Sequence, residues 1–382
     1  MSVFDSLIDQ NETVRVLQDA VIAARLSDDE SQNMTHAWLF TGPPGSGRSN
    51  AALAFAAALL CPNSGCNQCV DCATALNGVH ADVELIKTEG LSIKIDEIRE
   101  LITRSSWTPS VAQYRVVIIE DADRLTESAA NALLKAIEEP GLRTVWLLCA
   151  PTLSDVPPTI RSRTRNLTLR TPSTKAVIEL LESEMIQPKV AELAARASQG
   201  HIGRARYLAN NLEARTQRTD ILKLPLMITD IASAFKCAQL LVDAAKREAI
   251  AEATKRNDLE TVALKEAWGQ QGTRLVQGGA RAIKELEKEQ KSRQTRMVRD
   301  YLDRALLDIA TFYRDTLLIQ SGMRTGDALI NSDMQREIEI VASNTSAEKT
   351  LRKLESIMTA RTNLSRNAAP LLAVEALMVQ LR

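Results

Sequence analysis

The sequence predicts an α/β domain on a parallel sheet, followed by a few short helices and a long helical C-terminal part. Three observations predict it. Short apolar runs recur through the first 170 residues, most of them far enough apart to leave room for a helix between. One of them, Val116-Val117-Ile118-Ile119, is apolar at every position, which suits a strand buried on both faces of a parallel sheet. Strand signals stop near Thr171-Pro172, and the remainder reads as helix. Strands alternating with helices in this way form layered α/β structures.

In chain order, Thr35-His36-Ala37-Trp38-Leu39-Phe40 is a short apolar run ending at Thr41-Gly42-Pro43-Pro44-Gly45, a strand followed by a turn. Asn50 to Leu60 is an Ala-rich helix. Further strands are expected at Asp82–Lys87, Tyr114–Ile119, Thr144–Ala150 and Asn166–Leu169. Thr126 starts a helix over Glu127–Glu139 that stops at Pro140-Gly141. Glu138 and Glu139 oppose the dipole at its C-terminus, so they are either held by a partner or structural contact or simply solvated.

Residues 173–213 read as short helices, including Ala191–Ala197 and Arg204–Leu212. From about residue 217 the pattern is long and helical. Arg281–Asp300 carries seven basic and four acidic side chains with no Pro or Gly, either a solvated helical face or an arm for DNA or a partner. Over Tyr301–Ile319, Leu302, Ala305, Leu306, Ile309, Phe312, Tyr313 and Leu317 recur at helical spacing, a stripe for core or subunit contact.

At 382 residues the chain is too long for one hydrophobic core, and two or three domains are expected. Its 47 Lys and Arg against 48 Asp and Glu exclude a uniformly basic coat for nucleic acid, though not a local basic face. No run approaches the roughly 18 apolar residues of a membrane span. The first ten residues lack the basic-then-apolar order of a secretory signal. A cytoplasmic protein is therefore expected, with reduced cysteines, and clustered thiols favour metal over disulfide.

Gly42-Pro43-Pro44-Gly45-Ser46-Gly47-Arg48-Ser49 has the spacing of a phosphate-binding loop, between a strand and a helix as that loop requires. Gly42, Gly45 and Gly47 permit close backbone approach, several N–H groups then face an anion, and Ser49 could meet a Mg²⁺ ion. The consensus Lys is Arg48, which keeps the charge but is bulkier, planar and differently directed. The second half of such a site is a buried strand ending in acids, supplied by Glu120 and Asp121, with Asp123 beyond. Hydrolysing sites place an Asp at the metal and a Glu at the water; here the order is reversed. A carboxylate displaced by roughly 1 Å can cost about a hundredfold in rate. A loop without turnover is the reading.

Cys61, Cys66, Cys69 and Cys72 put four thiols into twelve residues, enough to close a tetrahedral Zn²⁺ shell with no open position, hence a structural one. His80 is a possible but unneeded ligand. Cys149 and Cys237 read as packed thiols.

These residues resemble the clamp-loader ATPase family of bacterial DNA polymerase III. His36-Ala37-Trp38-Leu39-Phe40-Thr41-Gly42-Pro43-Pro44-Gly45 and the four-cysteine insert carry the likeness. So do Asp123-Arg124-Leu125-Thr126, Asn131–Pro140 and Ile160-Arg161-Ser162-Arg163. The likeness is close over about residues 1–210 and architectural beyond. It implies an AAA+ RecA-like sheet domain at 1–170 with an inserted zinc module at 61–72, a helical lid at 171–215, and a helical collar at 216–382 that includes the charged stretch 241–300. Within the family the degenerate site is similar to the delta-prime type rather than the hydrolysing gamma/tau type. The resemblance then implies a subunit of a hetero-pentamer with gamma/tau and delta types, which places a sliding clamp on primed DNA. ATP and Mg²⁺ would act on the partner subunits, and no independent catalysis is expected of this chain. Ser162-Arg163-Thr164 matches the family's Ser-Arg-Cys motif, which assigns Arg163 as an arginine finger in a neighbour's ATP site. From composition alone, Arg161, Arg163 and Arg165 read as a basic edge before the last strand.

Several departures from the family pattern stand out, most of them at the nucleotide-type site. The first cysteine gap is short, and Asp9 stands where a Gly commonly sits beside the adenine. The polar sensor position is Ala150 or Pro151, and Gly203 replaces the lid arginine, with Arg204 one place late. Two competing readings stand beside this one: an active gamma/tau-type ATPase that tolerates Arg48, and a DNA-binding regulatory module in which the charged arm is the functional part.

Overall fold

The structure, a computed structural model of the full chain, describes residues 2–26, 34–88, 92–267, 279–322 and 329–382. Residues 268–278 of the charged stretch 241–300 lie outside the described residues. Contacts divide the chain into two compact units, Met1–Ala209 and Asn210–Arg382.

In the first unit the order is α1 (Asn11–Ala23), β1 (Ala37–Thr41), α2 (Arg48–Leu60), α3 (Val70–Leu76), β2 (Val83–Ile86), α4 (Ile95–Ser105), β3 (Arg115–Ile119), α5 (Glu127–Glu138), β4 (Thr144–Ala150), α6 (Pro158–Arg161), β5 (Arg165–Thr168), α7 (Thr174–Ser183), α8 (Pro188–Ser198) and α9 (Ile202–Asn210). The five strands form one parallel sheet in the order β2-β3-β4-β1-β5. Every residue of the three central strands β3, β4 and β1 is buried, as their unbroken apolar runs require, whereas the edge strand β5 is only half-covered.

Helix α2 buries nine of its thirteen residues, mostly Ala, and the small side chains let it lie close on the sheet. Trp38 and Phe55 meet edge to face across that contact, with ring centroids 5.1 Å apart. A short 3-10 turn over Ala122–Arg124, after the β3 acids, leads into α5, whose first turn is capped by Thr126, the hydroxyl accepting from the Ala129 N–H at 3.3 Å. Because all strands run the same way, the loops after β1 and β3 emerge at one carboxyl edge, with β4 between them. That is where open α/β sheets bind ligands.

The second unit is all helical: α10 (Leu212–Met227), α11 (Ile231–Ala267), α12 (Gly279–Gln320), α13 (Gln335–Asn344), α14 (Ala347–Ser365) and α15 (Pro370–Gln380). The stripe Leu302, Leu306, Ile309, Phe312 and Tyr313 is buried in its core, while Leu317 at the end of the stripe is only partly covered. A polar network is sealed beside it. Arg218 Nε donates to Asp308 at 3.0 Å, Asn331 Nδ2 donates to Thr311 and Asp315, and Asp315 accepts the Ile330 and Asn331 amides. Farther along, α11 and α12 are joined by Arg293, which is buried and donates to both Glu260 and Asn257. Part of the stretch Arg281–Asp300 is thus a seam between helices, with Lys284, Glu287, Lys288 and Lys291 exposed outside it. Among the described residues no helix is long and apolar enough to cross a membrane.

Candidate nucleotide-type site and cysteine cluster

The loop 42–47 follows β1 and opens α2, as predicted. Its first N–H, from Gly42, donates to Pro151 O at 3.1 Å, tying it to the end of β4. Gly47 stands at φ +89 as the residue before the helix, a left-handed conformation that glycine adopts without strain. Ser49 lies one residue inside α2.

Arg48, the first residue of α2, reaches toward the strand-end acids. Its charge acts on Asp123 and on Cys149, which also feels Glu120 and Asp121. Arg48, Glu120 and Asp121 are therefore gathered at one edge, as the sequence requires of a single site. Burial, reinforced by the neighbouring Asp121, holds the Asp123 carboxyl above its ordinary range despite Arg124 and Arg48. Glu120 is mostly covered and pairs with Lys87 at 3.5 Å. Cys149, expected as a packed thiol, is fully buried on β4, and burial pushes its thiol up.

Two buried polar atoms of the loop region, Ser46 Oγ and Arg48 Nη1, have no hydrogen-bond partner among the described residues. They would suit an anion. One point of the loop is crowded, while Pro43 and Pro44 are exposed and, among the described residues, nothing stands over Gly47. A Cβ placed on Gly45 would lie 2.3 Å from His201 Cγ and 2.6 Å from His201 Cα, so His201 rests directly on Gly45. Gly203 follows it, with no side chain to extend toward a phosphate. The loop thus keeps two unpartnered polar atoms suited to an anion, with His201 crowding it at Gly45. Sequence reasoning missed His201, whose proximity to Gly45 no local pattern signals.

Arg163 lies between α6 and β5 at the partly exposed edge. Its Nε donates to Glu138, and its Nη1 donates to Thr159 O at 2.9 Å and to Ser162 Oγ at 3.2 Å. Nη2 makes no hydrogen bond among the described residues. Glu138 is thereby one of the two helix-end acids that finds a structural partner, which offsets its placement against the dipole of α5. Arg165, from the same basic run, lies instead over the Trp38 ring at 4.8 Å.

The four cysteines converge after α2. Their sulfurs all lie within 4.8 Å of one another, with Cys61 Sγ 3.6 Å from Cys66 Sγ and 3.5 Å from Cys69 Sγ. Four sulfurs about 2.3 Å from a tetrahedral zinc stand roughly 3.8 Å apart, so the cluster fits that metal. Cys61 and Cys72 are buried, Cys66 and Cys69 half-buried. Burial raises the Cys61 thiol, but the amides of Cys66, Gly65 and Asn63 outweigh it and bring the pKa down to about 6. Arg25 braces the turn by donating to Pro62 O at 2.6 Å and to Cys61 O. Gly65, at φ +92, leaves room for Val3, whose Cγ2 would be 2.6 Å from an added Cβ. His80 turns away from ligand duty: its Nδ1 accepts the Asp82 N–H at 3.0 Å, and Nε2 faces Asp71 at 3.5 Å.

The parallel sheet, the loop after β1 and the acids after β3 define an AAA+ nucleotide-binding-type domain, here joined to an all-helical C-terminal part. Residues 17–173 match the family described as DNA polymerase III, delta subunit, and residues 298–382 match DNA polymerase III, delta subunit, C terminal. Over these two segments the chain is similar to clamp-loader subunits of DNA polymerase III. The DNA polymerase III subunit delta' of Bacillus subtilis (strain 168) is 32% identical over 54% of this chain and 64% of its own. Subunit tau of the same organism is 30% identical over 60% of this chain and 41% of its own. The delta' subunit of Pseudomonas aeruginosa is 35% identical over 38% of this chain and 46% of its own. The chain thus spans less than two thirds of the length of each of these relatives. Among solved structures, a DNA polymerase III gamma subunit-related protein of Thermotoga maritima shows 17% identity and a TM-score of 0.38, covering 78% of this chain and all of that one. A RuvB variant from Thermotoga maritima shows 20% identity and a TM-score of 0.40, covering 58% of this chain and 65% of its own.

Proposed function

We propose that this chain is a delta-prime-like subunit of a DNA polymerase III clamp loader, which loads a sliding clamp onto primed DNA without hydrolysing ATP itself. Its partners are gamma/tau and delta subunits in a hetero-pentamer. The parts are a sheet domain at 1–170, a lid at 171–215 and a collar at 216–382, with a structural zinc held by Cys61, Cys66, Cys69 and Cys72. The observation that carries this reading is the loop: Arg48 stands in the Lys position among the chain's own acids, and His201 rests on Gly45.

Arg163 supplies what the chain gives to catalysis, a finger for a neighbouring ATP site. Glu138, Thr159 O and Ser162 Oγ hold three sides of the guanidinium, and Nη2 is left to meet charge developing on a neighbour's phosphoryl group. Such a group contributes about 10³–10⁵ in rate in comparable systems.

The test is the DNA- and clamp-stimulated ATPase of the reconstituted loader, wild type against Arg163→Ala in this chain. A fall of about tenfold or more with assembly intact is expected; unchanged activity returns Arg163 to the basic edge. A second reading, an active gamma/tau-type ATPase, is favoured by the 30% identity to tau. Turnover by the isolated chain would select it.

A further inference from the structure

Hinged domains that close on a ligand are held shut by the ligand's own contacts with both parts. In the first unit the two parts are joined by side chains instead. The hinge runs from Arg170 to Ser173, between β5 and α7. Gln10 pairs with it from the N-terminal segment: its Nε2 donates to Arg170 O at 2.6 Å, and its Oε1 accepts the Arg170 N–H at 3.1 Å. Beside it, Asp9 Oδ2 accepts the Ser173 N–H at 2.9 Å, at the very start of the lid. Asp9 adopts φ +59, a left-handed conformation that Asp tolerates better than most residues.

The far end of the lid is fastened as well. Gly200, at φ +84, sits on the same hinge, where an added Cβ would lie 2.2 Å from Thr171 Cγ2 and 2.8 Å from Pro172 O. The next residue, His201, rests on Gly45 of the phosphate loop, and its ring is oriented by the Arg204 N–H donating to Nδ1 at 3.2 Å.

We infer that Asp9, Gln10 and His201 form a latch that holds lid helices α7–α9 closed on the phosphate loop in the absence of nucleotide. The three residues come from the two ends of the unit and meet the loop and hinge at separate points. Asp9 is itself one of the departures from the family pattern, and His201 lies two residues before another, Gly203. The inference rests on the reading that this chain does not turn over ATP, and it explains how. A ligand that needs the open lid binds more weakly by the fraction of time the lid is open, about a hundredfold at 1% open.

Hydrogen–deuterium exchange of the full chain tests it, comparing wild type with the Asp9→Gly/His201→Ser double variant. Glycine at position 9 removes the carboxylate while relaxing the backbone there, and serine at 201 removes the ring while keeping a helix-capping oxygen. At least tenfold faster exchange across α7–α9, with β1, β3 and β4 unchanged, is the expected result. Any smaller change in α7–α9 overturns the latch. If the sheet also loosens in the double variant, Asp9→Gly alone is judged by the same threshold. Slowing of wild-type lid exchange by tenfold on adding N-methylanthraniloyl-ATP would also overturn it, because the lid would then have been open. Failure of the function proposed above is read separately, from ATP turnover by the isolated chain and from the Arg163→Ala loader, neither of which alters the exchange threshold.

Discussion

Removing the metal from the cysteine cluster tests the sharpest geometric fit in the molecule. Cys61 and Cys72 delimit a twelve-residue loop whose four sulfurs converge within 4.8 Å. A metal that clips these ends together removes closure entropy from the unfolded chain much as a cross-link does, about 3 kcal/mol for a loop of this length. The loop also carries packing: Gly65 receives Val3, and Arg25 is bonded to the Cys61 and Pro62 carbonyls. For a unit of 209 residues, about 3 kcal/mol corresponds to roughly 6–12 °C in Tm. The assay is zinc content of the purified chain by a colorimetric chelator, then thermal melting of the first unit before and after metal removal. One zinc per chain, and a drop of that size restored by added zinc, are expected. A chain that holds no zinc, or that melts unchanged once its zinc is quantitatively removed, would refute the metal reading. Cys69→Ser should reproduce most of the loss.

Three further outcomes are expected. Replacing Arg218 by Met removes the cation bonded to buried Asp308 and Asn331 and should destabilise the second unit by about 3–5 kcal/mol, seen as a lower urea midpoint for its helical signal. The Arg293 hydrogen bonds outweigh burial and hold Glu260 at a pKa of about 2, below its ordinary 4.5. Because the folded value is depressed, this contribution is present above about pH 4.5 and is lost as pH falls toward 2; about 1–2 kcal/mol should vanish across that window, and Glu260→Gln should flatten that part of the acid titration of α11 and α12. Gly45→Ala puts a methyl 2.3 Å from His201 Cγ in a left-handed backbone, and should raise lid exchange without any change at Asp9.

Much of the sheet was legible because its signals are local. The runs expected at Thr144–Ala150 and Tyr114–Ile119 correspond to β4 and β3 to within a residue, since an unbroken apolar stretch between turns has few other uses. The loop, the strand-end acids and the four cysteines were legible for the same reason, each being a spacing pattern on one short segment. Contacts across the chain were not. Nothing near His201 announces Gly45, and nothing near Glu138 announces Arg163, because such pairs are set by how elements pack. Arg293 is the instructive case. Its surroundings read as a solvated charged face or an arm, yet the residue is buried against Glu260 and Asn257 of the neighbouring helix. Composition gives the character of a helix, and only the packing decides which of its charges face inward.

The strand order has a consequence for how the chain is made. β1 lies between β4 and β5, so the first strand to leave the ribosome finds its neighbours only when residues 144–168 have followed. At roughly 5–20 residues per second that wait is about 6–25 s. The cysteine loop needs nothing beyond residue 72 and can close around its metal during the interval. With a metal in place, the nascent chain would carry one finished knot while its central strand is still unpaired, and that strand, apolar from Ala37 to Phe40, is the segment for which a chaperone would have work to do.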